Sequence, residues 1–131
     1  MTDVLLDTHA LLWFDTVPER LPGRVVELIR DRTRRVHVSA VSAWELAIKQ
    51  RLGKLPEAEA LLNDYHRTLQ AYGFTELPFT SMHALKDREL GHAHKDPFDR
   101  ALVAQALSEQ FVILSRDPAV AAFPDVTVVW D

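Results

Sequence analysis

Short apolar runs rich in β-branched residues alternate along the chain with longer segments in which apolar residues recur at helical spacing. The short runs have the length and composition of buried strands, and the longer segments are typical of amphipathic helices. This pattern predicts strands at residues 4–6, 36–39, 74–77, 112–114 and 126–130. It predicts helices at residues 22–32, 42–52, 57–72 and 99–110.

Strands that are separated by helices pair in parallel through right-handed crossovers. We therefore expect an α/β fold, a three-layer sandwich with a central, mostly parallel five-stranded sheet flanked by helices. The 131 residues contain no internal repeat, low-complexity tract or linker. Because this length suits one ordinary core, residues 1–131 are predicted to form a single domain.

Acidic residues stand where apolar runs give way to predicted helices. Asp7 ends the first run, Asp117 follows the fourth, Asp99 opens a predicted helix and Glu45 lies one turn into another. In parallel sheets the working crevice lies outside the carboxyl ends of the strands, which is where these acids fall. Carboxylates that converge there repel one another unless a hard divalent cation lies between them.

Each acid also has a simpler explanation. Asp7, Asp99 and Asp117 are suited to cap helices, because Asp before a helix accepts hydrogen bonds from its unpaired amides. Glu45 could pair with Lys49, four residues later on the same helix. However, Glu45 stands among apolar neighbours in WELAI, where a lone carboxylate is costly without a partner. A bound metal would supply that partner.

Composition narrows the kind of metal site. The chain has no cysteine, which rules out disulfides and thiolate ligands. Oxygen ligands suit Mg²⁺ or Mn²⁺, and clusters of such ions promote phosphoryl transfer. The first residues, MTDVLLDTHALLW, carry no basic leader, and Asp7 interrupts their apolar stretch. We therefore expect neither a signal peptide nor a membrane span, and a cytoplasmic location.

The net charge of -4 argues at first against a nucleic-acid substrate, which generally requires a positive surface. Two divalent cations would offset that total. Positive charge is also concentrated in one stretch, because six arginines fall within sixteen residues: Arg20, Arg24, Arg30, Arg32, Arg34 and Arg35. This stretch is interpreted as either a solvated helix end or a track for a phosphate backbone.

Four motifs resemble those of PIN-domain ribonucleases. They are LLDTHALLW at 5–13, SAWELAIKQRLGKL at 42–55, HKDPFDRALVAQA at 94–106 and LSRD at 114–117. The H-x-D-P-F-D-R and W-E-x-A-I-K patterns further resemble the VapC-type toxins of bacterial toxin–antitoxin pairs. The resemblance extends over essentially the whole chain.

The resemblance implies a role for each matching residue. Asp7, Glu45, Asp99 and Asp117 would be the catalytic acids and metal ligands, with Asp117 binding directly or through water. Three further residues would support the site: Asp96, which would otherwise cap the helix rather than bind the first metal, Thr8 through its hydroxyl, and Ser115 by orienting Asp117 or a water.

Basic and aromatic residues beside these acids are candidates for substrate contacts. Arg100 and Arg116 could grip phosphate bidentately or form surface ion pairs, and Lys49 could touch RNA or neutralise Glu45. His92 and His94 form an H-x-H pair that could chelate zinc, but we expect His94 mainly to hydrogen-bond near the helix entry. His9 is interpreted as a packed or solvated side chain, with phosphate contact as the alternative. The three tryptophans, at positions 13, 44 and 130, are predicted to lie in the core.

The resulting expectation is a Mg²⁺- or Mn²⁺-dependent endoribonuclease that acts as the toxin of a toxin–antitoxin module. Its implied partners are an RNA substrate, a cognate antitoxin and a second copy in a homodimer, without a membrane. The apolar face of Leu61, Tyr65, Leu69 and Tyr72 could supply a partner contact or simply pack in the core. The alternatives are a haloacid-dehalogenase-like phosphohydrolase and a non-catalytic, metal-dependent receiver or binding module.

Overall fold

A computed structural model describes residues 2–131 and places five strands in one parallel sheet. The strands are β1 (Val4–Leu6), β2 (Val36–Ser39), β3 (Thr75–Leu77), β4 (Val112–Leu114) and β5 (Val128–Val129). Their order across the sheet is β3-β2-β1-β4-β5. The predicted three-layer α/β fold is thus confirmed, with every pairing of these five strands parallel.

Eight α-helices cover the sheet within residues 2–131. They are α1 (Thr8–Thr16), α2 (Gly23–Arg30), α3 (Ala40–Arg51), α4 (Glu59–Asn63), α5 (Tyr65–Tyr72), α6 (Ser81–Lys86), α7 (Pro97–Glu109) and α8 (Pro118–Ala121). Short 3-10 turns lie at Pro18–Arg20, Pro56–Ala58 and Asp87–Glu89. In this part of the chain no helix combines the length and apolar character needed to cross a bilayer.

The apolar runs of the sequence fill two cores, one on each face of the sheet. In β1, Val4 and Leu6 pack into one core and Leu5 into the other, because successive side chains of a strand point to opposite faces. All three side chains are fully buried. A strand that is covered on both faces needs an unbroken apolar run, which explains the short VLL and VIL segments.

All four predicted helices differ in their bounds from those observed, those over 22–32 and 42–52 by only one or two residues at each end. The segment predicted as one helix over 57–72 is divided at Asp64, whose backbone leaves the helical region at φ -134 and ψ 36. Apolar spacing continues through this break, so Leu61, Tyr65 and Leu69 are all buried and form part of the core. The helix predicted to open at Asp99 begins at Pro97, because the Asp96 side chain caps it and proline suits the first helical position.

Trp44 does not lie in the core, so that prediction was wrong. The buried face of α3 is formed by Val41, Ser42, Glu45 and Leu46, and Trp44 points away from it with 62% of its surface exposed. Its ring packs edge-on against Phe98 at 5.3 Å between centroids. Trp13 and Trp130 are partly buried against the core and contact one another.

The end of α7 offers a test of local backbone strain. Gln110 follows the helix with φ 62, in the left-handed region that favours glycine. Gln110→Gly should raise the free energy of unfolding by about 0.5–1 kcal/mol, measured by chemical denaturation. Gln70→Gly, in the interior of α5, should lower it by about 1 kcal/mol. Equal effects of the two substitutions would contradict this explanation.

Candidate metal centre

The predicted acids meet at the carboxyl end of the sheet. Leu6 of β1 is in register with Val38 of β2 and Leu114 of β4, so the three strands end side by side. The Asp7 amide donates to the Leu114 carbonyl at 3.1 Å, which fixes the first acid beside the end of β4. A cleft of about 130 Å³ opens there, lined by Asp7, Thr8, His9, Glu45, Lys49, Asp96, Asp99 and Asp117. We call it the acidic cleft.

Three aspartates of the acidic cleft also cap helices. Asp7 Oδ1 accepts from the Ala10 amide at 2.7 Å, and Asp117 Oδ1 accepts from the Ala119 amide at 2.9 Å. Asp96, rather than Asp99, caps α7. Each cap engages Oδ1 and leaves Oδ2 without a backbone amide among residues 2–131. The capping and metal-binding interpretations of Asp7 and Asp117 are therefore compatible.

Glu45 is 3% exposed and has a partner on each carboxylate oxygen. The Thr8 hydroxyl donates to Oε1 at 2.5 Å, and the Lys49 ammonium donates to Oε2 at 2.6 Å. Burial lowers the pKa of Lys49, but the hydrogen bond and charge of Glu45 outweigh it and raise that pKa overall. Lys49 thus remains a fixed positive charge at the edge of the cleft.

Asp99 and Asp117 come together with His94, for which we expected mainly a hydrogen bond near the helix entry, with metal ligation as the less favoured alternative. One ligand atom from each of the three lies within 4.8 Å of the others. His94 Nε2 is 2.9 Å from Asp99 Oδ2, so the expected hydrogen bond near the helix entry is present. The H-x-x-x-x-D spacing was the available sequence signal, but only the loop before α7 turns the imidazole towards the carboxylates. His92 is exposed and lies outside this cluster.

Burial raises the pKa of two of these acids. The pKa of Asp7 rises to about 6 because the side chain is desolvated, although hydrogen bonds from Ser115 and the Ala10 amide act in the opposite direction. The pKa of Asp99 is also raised, chiefly by burial, with His94 lowering it and neighbouring carboxylates raising it. Ser115 additionally accepts the Asp117 amide at 3.1 Å, so it links the first and last acids.

These residues fit a hard divalent cation. The acidic cleft gathers five carboxyl groups around one lysine, and burial together with nearby carboxylates penalises the ionised forms of Asp7 and Asp99. A cation would relieve both penalties. Asp99 and Asp117 would hold it with Asp7 close by, and His94 offers a nitrogen ligand. The carboxylate oxygens, which outnumber the single imidazole, suit Mg²⁺ or Mn²⁺.

The two candidate phosphate-binding arginines differ in their surroundings. Arg100 donates to Asp87 Oδ1 at 2.6 Å, to the Asp87 carbonyl at 3.0 Å and to the His94 carbonyl at 2.9 Å. These bonds brace the loop that carries His94, so the geometry favours a structural role for Arg100 over the phosphate contact that we expected. Arg116 is exposed beside Asp117, at the mouth of the cleft.

Comparison with protein families identifies the fold. The PIN-domain model matches residues 4–126. The chain belongs to the PIN-domain family. This membership confirms the resemblance seen in the four motifs, and it favours the nuclease expectation over the phosphohydrolase and receiver alternatives. A search of curated proteins gave no match.

Solved structures of the same fold come from several bacteria. FitAcB from Neisseria gonorrhoeae matches with a TM-score of 0.67 and 23% identity, over 95% of each chain. VapBC2 from Rickettsia felis, bound to a promoter DNA fragment, matches with a TM-score of 0.61 and 11% identity over 98% of each chain. A toxin–antitoxin complex from Klebsiella pneumoniae matches with a TM-score of 0.60 and 14% identity, over 97% of this chain and 96% of that chain.

Because the pKa of Asp7 is raised, ionising this carboxyl lowers the free energy of unfolding, and the effect depends on pH. Below about pH 4 the carboxyl is protonated in the folded state, and the preference of the folded state for this proton stabilises it. This stabilising contribution is lost as the pH rises through 6, where the folded protein releases the proton. Asp7→Asn keeps the capping oxygen and removes the charge. In chelator it should be more stable than the parent by about 2–3 kcal/mol at pH 7.5 and about equal at pH 4, measured by chemical denaturation.

Asp64→Asn provides the control for this comparison, because Asp64 is exposed and far along the chain from the cleft residues. It should change stability little at either pH. A gain for Asp7→Asn of the same size at pH 4 and pH 7.5 would contradict the desolvation explanation.

Proposed function

We propose that this PIN domain is a Mg²⁺- or Mn²⁺-dependent endoribonuclease that acts in the cytoplasm as the toxin of a toxin–antitoxin module. The observation that carries the proposal is the acidic cleft, where Asp7, Glu45, Asp99 and Asp117 converge from four separate segments. Family membership supports the nuclease chemistry, and the toxin assignment rests on the motif resemblance and on the solved relatives.

The residues of the acidic cleft have different roles in phosphodiester hydrolysis. A divalent cation held by Asp99 and Asp117 would activate water and stabilise the leaving oxygen. His94 orients Asp99 through its 2.9 Å hydrogen bond, and Ser115 keeps Asp7 and Asp117 in a fixed relation. Lys49 and Thr8 donate hydrogen bonds to Glu45 and hold its carboxylate in place.

Water attacks the phosphorus and the bond to the 3′ oxygen breaks, with a proton passing to the leaving oxygen. The products are a 5′-phosphate and a 3′-hydroxyl. The RNA 2′-hydroxyl takes no part as a nucleophile. Arg116 is exposed in a depression that shares Asp7 and Asp117 with the acidic cleft. Its guanidinium is placed to contact a phosphate oxygen of the strand.

End-mapped cleavage of total RNA tests this function. Purified protein with Mg²⁺ or Mn²⁺ should yield 5′-phosphate and 3′-hydroxyl ends, and chelator should abolish cleavage. Asp99→Asn should reduce the rate by at least about a hundredfold while the protein stays folded, because it removes a ligand charge. The exposed-site variant Asp64→Asn should cleave normally. Cyclic 2′,3′-phosphate ends, or full activity of Asp99→Asn, would overturn the proposal.

An antitoxin is the second proposed partner. The solved Klebsiella pneumoniae structure is a toxin–antitoxin complex, and this chain spans almost the full length of the matched chain in it and of that in VapBC2. The excess of carboxylates in the acidic cleft is complementary to a basic side chain on an antitoxin tail. Such a tail would block the site by occupying the position of the cation or the substrate.

We further propose that the homodimer forms through an apolar groove of about 430 Å³, whose lining includes Trp44, Phe79 and Phe98. On α6, which forms part of its wall, Met82 and Leu85 are 59% and 61% exposed. This surface replaces the α4 and α5 face that we considered as a contact, because Leu61, Tyr65 and Leu69 are buried in the core.

Sedimentation as a function of dilution tests the dimer. The double substitution Trp44→Glu and Phe79→Glu should shift the protein to a monomer without unfolding it, because both side chains line the groove and are exposed. Leu52→Glu is the matched control, since Leu52 is 54% exposed but does not line the groove. A dimer that persists in the double variant would rule out this surface.

A further inference from the structure

Trp13 lies between two arginines that come from distant parts of the chain. The Arg20 guanidinium carbon is 5.4 Å from the centre of the Trp13 ring, and that of Arg116 is 5.7 Å from it. Trp13 itself is held by Trp130, with 6.1 Å between ring centroids, and packs partly into the core. A firmly packed indole therefore positions two cations. We call Arg20, Trp13 and Arg116 the arginine ledge.

Both guanidiniums of the ledge are available for a ligand. Arg20 and Arg116 are exposed, and within residues 2–131 neither forms a salt bridge with a carboxylate. A guanidinium that stacks on an aromatic face keeps its N–H donors free at its edge, in the fork geometry that matches phosphate. Two like charges beside one ring also repel each other, and an anion bound between or beside them would relieve that repulsion.

The ledge borders the acidic cleft. A depression of about 340 Å³ is lined by Asp7, His9, Trp13, Arg116, Asp117 and Pro118, and three of these residues also line the cleft. An RNA strand with one phosphate in the cleft would therefore have its neighbouring phosphates within reach of this surface. Arg20, from the 3-10 turn after α1, lies beside the Trp13 ring and thus adds a second cation next to Arg116.

We propose that Arg20, oriented by Trp13 together with Arg116, binds a backbone phosphate that flanks the scissile one. This inference rests on the proposed ribonuclease function and deepens it by adding a substrate-binding residue. It also explains how a chain with a net charge of -4 and a cluster of carboxylates attracts a polyanion, since the cations are concentrated beside the cleft. The first arginine of the run over 20–35 thus has a role distinct from its neighbours.

An acidic protein segment offers similar charge, but the continuity of the ledge with the cleft favours the RNA strand. The proposed antitoxin tail is basic, so the two guanidiniums would repel it. An RNA strand, whose phosphates are regularly spaced, can contact the acidic cleft and the arginine ledge at the same time. One phosphate then faces the cation ligands and the next faces the arginines.

Steady-state cleavage of a single-stranded RNA that contains the mapped site, in Mn²⁺, tests the ledge. Arg20→Ala should raise KM about five- to tenfold with a much smaller change in kcat, because one charge-assisted contact is lost. The slope of log affinity against log salt concentration should fall by about 0.7, the loss of one phosphate contact on a single strand. Arg20→Lys should give an intermediate KM, since lysine keeps the charge but not the fork.

Arg24→Ala is the matched control. Arg24 is an exposed arginine in the first turn of α2, four residues away, and it is not stacked on Trp13. It should leave KM and the salt slope unchanged. Equal effects of Arg20→Ala and Arg24→Ala, or none from either, would overturn the ledge while leaving the ribonuclease intact. Failure of the parent protein to cleave RNA would instead overturn the proposed function and the ledge with it.

Discussion

Repulsion among buried carboxylates is the constraint around which the functional end of this protein is organised. The register of β1 with β2 and β4 ends three strands side by side, and the acids that follow them share one small cleft. Desolvation raises the pKa of Asp7 and Asp99, so the isolated cleft is electrostatically unfavourable. The rest of the fold offsets this unfavourable free energy, and the same carboxylates form a strong site for cations.

Local contacts offset only part of that repulsion. Helix amides donate hydrogen bonds to one oxygen each of Asp7, Asp96 and Asp117, and the Lys49 ammonium donates to Glu45. His94 shares a hydrogen bond with Asp99. Because the caps leave the second oxygens of the aspartates free of backbone amides within residues 2–131, the same side chains can secure the helices and hold a cation.

Arginines around the cleft have different roles that follow from their partners. Arg100 is saturated by Asp87 and by the His94 carbonyl, so it stabilises the loop before α7. Arg116 and Arg20 rest against Trp13, where stacking fixes their planes and leaves their donors free. Arg100 thus differs from the other two in its salt bridge with a carboxylate, which neither Arg20 nor Arg116 forms within residues 2–131.

The sequence by itself determined the parallel α/β fold, the strand positions and the four acids, because apolar periodicity and helix-start chemistry are local properties. It could not show that Trp44 faces solvent or that the helix over 57–72 breaks at Asp64. Tertiary structure alone decided that His94 joins Asp99 and Asp117, and that Arg20 meets Arg116 across Trp13. These contacts join segments whose relative placement depends on packing and sheet register, which no local pattern encodes.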